Sequence, residues 1–148
     1  MKKHMLRLTL LAFVTLSVFS SCKKDKDDDK LAVNAENLIG NYKLADLKMK
    51  VSGVGEESIL SEFEECEKDD VYQLLANNVF KVVDEGKKCE NDETTEWSLN
   101  GNKITLETSA FFIYGDFEVV SLTKSQLVLS LTMSEGGNTI TYTVILKR

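Results

Sequence analysis

Short apolar segments alternate with turn signals from residue 38 to residue 148. The segments are rich in Val, Ile, Thr, Tyr and Phe and are separated by polar connections, which is typical of an all-β sandwich or barrel. Eight strands are predicted, at 41–51, 71–75, 79–83, 95–99, 103–108, 111–122, 126–133 and 139–147. Because the connections after the second strand are short, neighbours in sequence are expected to pair in an antiparallel up-and-down sheet.

An eight-stranded meander of this kind can close on itself. Closure removes exposed strand edges and leaves an interior wide enough for side chains or one small ligand. The chain contains no proline, and proline is one of the residues that protect open edges. The prediction is therefore one closed, eight-stranded antiparallel up-and-down barrel domain over residues 38–148.

Two hairpins can be given a register from their turn residues. In the segment EWSLNGNKITLE, the Asn100-Gly101 pair predicts a two-residue turn, because both turn positions require positive φ. This register places Leu99 opposite Asn102 and Trp97 opposite Ile104. A second turn at 135–138 brings the apolar positions 127, 129, 131 and 133 against 140, 142, 144 and 146. In both hairpins one face is apolar, so that face is expected to line the core.

The hairpin around Asn77 and Asn78 is compatible with two registers. A two-residue turn pairs positions whose numbers add to 155, as those of Cys66 and Cys89 do. A three-residue turn with Asn78 left-handed misses that pairing by one residue but gives a cleaner apolar face, formed by Tyr72, Leu74, Phe80 and Val82. Either register brings the two cysteines to the same end of the sheet.

The longest connection, at 52–70, is predicted to contain a short amphipathic helix. Ile59, Leu60 and Phe63 recur at helical spacing, and two glutamates precede them where a helix start favours acidic residues. From the residues alone, Leu60 and Phe63 are candidates to plug a filled core, because long connections can be packed as well as functional.

The first residues have the layout of a secretory signal peptide. Basic residues precede an apolar run at 8–19, which is shorter than the ~20 residues that a membrane-spanning helix needs. Ser20 and Ser21 then stand directly before Cys22, an arrangement that resembles a bacterial lipobox, in which the cysteine is acylated and becomes the new amino terminus. We expect a signal peptide at 1–21 and lipid attachment at Cys22; the alternative is an ordinary signal peptide with a chance cysteine.

The charged run KKDKDDDK after Cys22 predicts a disordered tether over 22–37, because it has too few apolar groups to fold. It resembles the export signal of some surface-displayed Gram-negative lipoproteins, and a plain spacer on a periplasm-facing lipoprotein is the alternative. The expected location is the outer membrane of a Gram-negative bacterium. Asp25, Asp27, Asp29 and Glu36 also have calcium-loop spacing, but Lys30 stands where that loop requires glycine.

Charge and histidine content exclude several function classes. Removal of the signal peptide leaves 15 basic and 24 acidic residues, a net charge of −9 (15 − 24), which disfavours nucleic acid as a partner. The single histidine, His4, is lost with the signal peptide. A mature chain without histidine has no Ser-His or Cys-His nucleophile pair and no His-ligated metal site. No cofactor and no metal are expected.

Cys66 and Cys89 remain once Cys22 is assigned to the lipid. An exported chain with an even number of remaining cysteines predicts one disulfide, between these two residues. Free thiols or a two-cysteine metal site are the alternatives.

Several segments resemble the strands of a lipocalin. NLIGNYKL is similar to the start of the first lipocalin strand, with Gly40 matching and Tyr42 in place of Trp. EWSLNGNKITL and TYTVILK resemble later strands of the small lipocalin-like domains of bacterial lipoproteins. The resemblance implies an eight-stranded barrel, with the connection after the first strand lying over its open end as a lid.

Seven aromatic residues are candidates to line a ligand pocket or, alternatively, to fill the core: Tyr42, Phe63, Tyr72, Phe80, Trp97, Phe117 and Tyr142. The leading hypothesis is a lipid-anchored binding module that holds a small hydrophobic or amphipathic ligand. The second is a solid-core structural or interaction lipoprotein that works with other envelope proteins. An enzyme is the third, because Glu107 is expected to point outward and nothing pairs Asp116 and Glu118 inside a cleft.

Overall fold

The computed structural model describes residues 29–89, 91–108, 111 and 113–148. The predicted signal peptide, Cys22 and the first part of the predicted tether lie outside these residues. The helix of the described chain, α1, spans only Ala35–Leu38, and no helix among the described residues is long and apolar enough to cross a membrane.

The described residues form nine strands. They are β1 Gly40–Val51, β2 Glu56–Ser58, β3 Val71–Leu74, β4 Val79–Val83, β5 Glu93–Asn100, β6 Lys103–Leu106, β7 Gly115–Leu122, β8 Gln126–Glu135 and β9 Asn138–Lys147. Every pairing is antiparallel, and β3 to β8 each pair with the next strand in sequence. The first half of β1 pairs with β3, while its other edge pairs with β9. Eight strands therefore close into the predicted barrel.

The long connection differs from its prediction. Residues 56–58 form the additional strand β2, and Leu60–Glu62 form a single turn of 3-10 helix instead of an amphipathic α-helix. The reason is the length of β1, which has 12 residues, whereas β3 has only four. The pairing of β3 with β1 therefore ends at Lys43. The second half of β1 would have an unpaired backbone edge, and β2 pairs with it at Lys48–Lys50.

The structure confirms the predicted register of one hairpin and selects one of the two registers left open for another. Glu135 pairs with Asn138, and the apolar positions of β8 and β9 face one another as predicted. The hairpin between β3 and β4 takes the three-residue register, in which Tyr72 pairs with Val82. Asn77 and Asn78 both have positive φ, at 59° and 64°, which asparagine tolerates better than most residues.

The predicted register of the β5–β6 hairpin is wrong by two positions. Asn100 pairs with Lys103 and Leu99 with Ile104, so the turn residues are Gly101 and Asn102. Glycine takes the left-handed position, with φ 64°. Asn102 is held by the next strand, because its carbonyl accepts the Val119 N–H at 2.7 Å and its side-chain amide donates to Glu118 at 3.0 Å. A shift of two leaves the same residues on each face.

The packed unit begins earlier than residue 38. Lys30 forms a β-bridge with Thr123, and the Leu31 N–H donates to the Leu122 carbonyl at 2.9 Å. Leu31 and Val33 pack against the core. Residues 30–37 are therefore not part of a disordered tether, because these two apolar side chains hold them against the barrel.

The interior is filled along most of its length. The largest fully buried side chains are Tyr42, Tyr72, Phe80, Phe111, Phe117, Leu38, Leu47, Ile104, Leu127, Leu129 and Val144. Both tyrosines and most of these apolar residues come from inward positions of the alternating strands. The described residues therefore form a packed core inside the barrel.

Candidate functional site

The two ends of the barrel are built from different parts of the chain. One end carries α1, the turns 75–79, 100–103 and 122–126, and the last residue. The opposite end carries the longer connections, at 51–71, 83–93 and 106–115, and the 135–138 turn. We call them the closed end and the open end.

Hydrogen bonds seal the closed end. The Tyr42 hydroxyl donates to the Leu38 carbonyl at 2.7 Å, and it accepts from Nε and Nη2 of Arg148 at 3.1 and 2.7 Å. The Arg148 guanidinium also lies 5.1 Å from the centre of the Tyr42 ring. Burial raises the pKa of Tyr42, and Arg148 partly offsets this. Gly40 makes room, since an added Cβ would stand 3.1 Å from Arg148 Nε.

Trp97 also belongs to the closed end. Its indole N–H donates to the Leu75 carbonyl at 3.0 Å, beside the turn that joins β3 to β4. The side chain is only 3% exposed. A ligand at the open end would therefore not be expected to contact this tryptophan directly.

A pocket of about 390 Å³ lies at the open end. Its lining residues come from β1, the long connection, the 106–115 loop and β9: Leu47, Met49, Glu57, Ile59, Glu62, Phe63, Phe111, Ile113 and Tyr142. Seven of the nine side chains are apolar or aromatic, and the two others are carboxylates. Pockets of this size and lining are typical of sites for small organic ligands.

Aromatic packing forms the floor of the pocket. The Phe111 ring lies 4.8 Å from that of Tyr72 and meets Phe117 edge-on at 6.4 Å between centroids. All three side chains are buried. This layer separates the pocket from the filled part of the barrel, so a ligand would occupy the mouth and not the axis.

The strand registers place one carboxylate on the pocket side. Glu57 of β2 is the register partner of Met49 in β1, and Met49 is in turn the partner of Tyr142 in β9. Register partners share a face of the sheet. All three residues line the pocket, whereas the neighbouring Glu56 lies on the outer face and forms an ion pair with Lys48 at 3.2 Å.

A disulfide joins Cys66 to Cys89, with their Cα atoms 5.8 Å apart. It links the long connection, which carries Phe63, to the loop that follows β4. The backbone N–H of Cys89 also donates to the Asp84 carboxylate at 2.9 Å. Phe63, which covers one side of the pocket and is 4% exposed, is therefore close to a covalent cross-link.

The chain was also compared with models of known protein families. A family model described as a lipocalin-like domain matches residues 38–129, which is more than half of the chain. The chain belongs to the lipocalin-like domain family. No curated protein matches it. The lipocalin-like domain is typically a non-enzymatic binding fold.

The structure distributes the seven candidate aromatic residues over three places. Phe63 and Tyr142 line the pocket of this lipocalin-like barrel. Tyr72 and Phe117 lie behind its floor, against Phe111. The other three, Tyr42, Phe80 and Trp97, are buried elsewhere in the core and do not line this pocket.

Most of the lining was not among the predicted site residues. Leu47 and Met49 could have been found from the inward alternation of β1, and Ile59 from its spacing to Phe63. Phe111 and Ile113 were expected to continue the strand β7, which instead begins at Gly115. Their role depends on where these two side chains pack beside β1 and β9, and no sequence pattern indicates that.

One group of carboxylates lies near the disulfide. Oxygen atoms of Asp69, Asp70 and Asp84 come within 4.8 Å of one another. This spacing would suit a cation, but groups of acidic side chains this close together are also common without one. We assign no metal to this group.

Proposed function

We propose that this lipocalin-like protein is a lipid-anchored, exported binding module that holds one small hydrophobic or amphipathic molecule at the open end of its barrel. The observation that carries the proposal is the mainly apolar pocket of about 390 Å³ between β1, β9 and the cross-linked connection. Exposed apolar pockets of this kind gain affinity by burying ligand surface, at about 25 cal/mol per Å².

The anchor is part of the same proposal. Ser20 and Ser21 before Cys22 support acylation of that cysteine, and the charged residues that follow support a solvated spacer. The barrel would then be held at the outer membrane of a Gram-negative bacterium, facing the periplasm or the cell surface. Its partners would be the membrane, through the lipid, and the small ligand.

The proposal is for binding without catalysis. Asp116 and Glu118, which are candidate acids by type, are exposed on the outer face of β7 and accept hydrogen bonds from Thr105 and Asn102 at 2.6 and 3.0 Å. Glu107 is exposed as well. A pair of carboxylates in a cleft, which acid–base hydrolysis needs, is not formed by these three residues.

A second candidate is an interaction lipoprotein that binds other envelope proteins and takes no small ligand. The filled barrel interior favours it, because large lipocalin-type cavities are replaced here by packed aromatic residues. In that case the pocket would be a shallow feature of the surface.

Two experiments test the proposal. The native lipoprotein is extracted, and small molecules that copurify with it are identified by mass spectrometry after denaturation. A stoichiometric apolar or amphipathic compound supports the binding module, whereas an empty protein that also fails to bind added apolar compounds favours the interaction module. Separately, Cys22→Ala should release the protein from the membrane fraction or leave it unprocessed; a processed chain that stays in that fraction without fatty acid would contradict the anchor.

A further inference from the structure

The long connection at 51–71, which lines one side of the pocket, is strongly acidic. Residues 55–70 contain eight acidic side chains and one lysine. That lysine, Lys68, forms an ion pair with Glu65 at 2.6 Å. The mouth of the pocket therefore lies in a negative field, which attracts cations and repels anions of similar size.

Two of these acids belong to the pocket itself. Glu57 and Glu62 both line it, and both are exposed. Within the part of the chain that the structure describes, neither forms an ion pair, although the adjacent Glu56 does so with Lys48. None of the described residues that line the pocket is a lysine or an arginine. The polar groups at this mouth are thus negative and available to a ligand.

The interior of the pocket is apolar and partly aromatic. Phe63, Phe111 and Tyr142 supply rings whose faces carry partial negative charge. Such faces attract ammonium groups when these come within about 6 Å. A hydrocarbon chain is stabilised by the apolar lining, and a cationic head group is stabilised at the rim.

We propose that the ligand of this pocket is an amphipathic cation, a hydrocarbon chain or ring system that bears an ammonium group, and not a fatty acid. This inference rests on the proposed binding function and adds the charge of the ligand. The chain would lie against Met49, Phe63 and Phe111. The ammonium group would stand between the carboxylates of Glu57 and Glu62.

The test compares probes that share a ten-carbon chain and carry a cationic, a neutral or an anionic head group. Decyltrimethylammonium, decanol and decanoate are titrated, below their micelle concentrations, into the mature chain without its anchor residue (residues 23–148), which retains the complete closed sheet and core. Binding is measured by isothermal titration calorimetry. Two exposed carboxylates that attract one head group and repel another should separate the dissociation constants of the cation and the anion by about tenfold.

Matched variants locate the preference. Glu57→Gln and Glu62→Gln keep the side-chain shape and remove one charge each, so each should lower the preference for the cation by about threefold. Glu56→Gln is the control, since it removes the same charge one residue away on the outer face. Added salt should narrow the gap between cation and anion and leave decanol binding nearly unchanged.

The outcomes distinguish the two proposals. Tighter binding of the cation that depends on Glu57 and Glu62 supports the inference. Equal binding of all three probes, or a preference for decanoate, overturns it and leaves the proposed binding function in place. If none of the three probes binds, both the inference and the proposed binding function are overturned.

Discussion

Removal of the Arg148 side chain should open the closed end of the barrel and lower the stability of the fold. The guanidinium donates to the Tyr42 hydroxyl through Nε and Nη2, and Nη2 also donates to the carbonyls of Asn37 and Ile39. It therefore connects β1 and the residues around α1 to the end of β9. In Arg148→Ala these links are lost together.

The size of the expected loss of stability depends on how exposed the hydrogen bonds of Arg148 are. A hydrogen bond to a charged group contributes about 1.5–3 kcal/mol when buried, but Arg148 is exposed and water can replace part of each bond. The Tyr42 hydroxyl keeps its bond to Leu38. We expect a loss of about 2 kcal/mol in the free energy of unfolding, which lowers the melting temperature by roughly 5–10 °C for a domain of this size.

Chemical denaturation with far-ultraviolet circular dichroism measures this loss, and Trp97 fluorescence gives a second probe because the indole is buried. Arg148→Lys should recover only part of the stability, since an ammonium group cannot reproduce the planar fork of donors. Lys147→Ala, which removes an exposed neighbouring cation, should change stability by less than about 0.5 kcal/mol.

A double-mutant cycle with Tyr42→Phe tests the reasoning directly. If the two side chains act together, their effects should not add, with a coupling of about 1 kcal/mol. Additive effects, or an Arg148→Ala variant as stable as the Lys147→Ala control, would refute the assignment of Arg148 as the link that seals this end.

Three further predictions concern the cross-link, the buried tyrosine and the pocket. Peptide mapping without reductant should recover Cys66 bonded to Cys89, and replacing both by serine should cost about 3 kcal/mol for a loop of this length; two free thiols in the exported protein would contradict it. Burial and the nearby Asp70 and Glu67 raise the pKa of Tyr72 above its ordinary value of 10.0, so the folded state retains this proton longer than the unfolded state does. Its contribution to the free energy of unfolding is complete below pH 10 and decreases as the pH rises toward the folded-state pKa. In Tyr72→Phe the free energy of unfolding should therefore fall less steeply above pH 10, as measured by denaturation at several pH values. The same pH dependence in the variant and the original protein would show that Tyr72 does not cause the alkaline loss of stability. Phe63→Ala should change the affinity for decanol in calorimetry, because Phe63 lines the pocket, whereas Lys103→Ala, on an exposed position of β6, should not. Equal affinities of the two variants would contradict a role of Phe63 in binding.

The strand pattern could be predicted because its cause is local. Side chains alternate between the two faces of a strand, so the apolar positions of β8 and β9 indicated both the strands and the face that meets the core. The 135–138 turn then determined their register, because its length leaves one pairing. Eight such strands in a meander, each needing a partner for its edges, also predicted closure.

The β5–β6 turn shows where local reasoning ends. Asn100-Gly101 is the stronger turn signal by itself, yet the turn is at Gly101-Asn102 because Asn102 pairs with β7 through its backbone and side chain. The same holds for Glu56–Ser58, which form a strand because the unpaired edge of β1 is beside them. In both cases a partner distant in sequence decides between alternatives that are close in local energy.

The sequence by itself therefore determined the fold class, the strand count of the barrel and the inward-facing residues, while the tertiary structure decided where a ligand could bind. Only the closed barrel shows that Trp97 and Tyr42 are at one end and that Phe63, Phe111 and Tyr142 meet at the other. Only the pairing of β2 with β1 shows that Glu57 lies on the pocket side and Glu56 on the outer side. The physical reason is that alternation depends on neighbouring residues of one strand, whereas a pocket depends on loops that barrel closure brings together from distant parts of the chain.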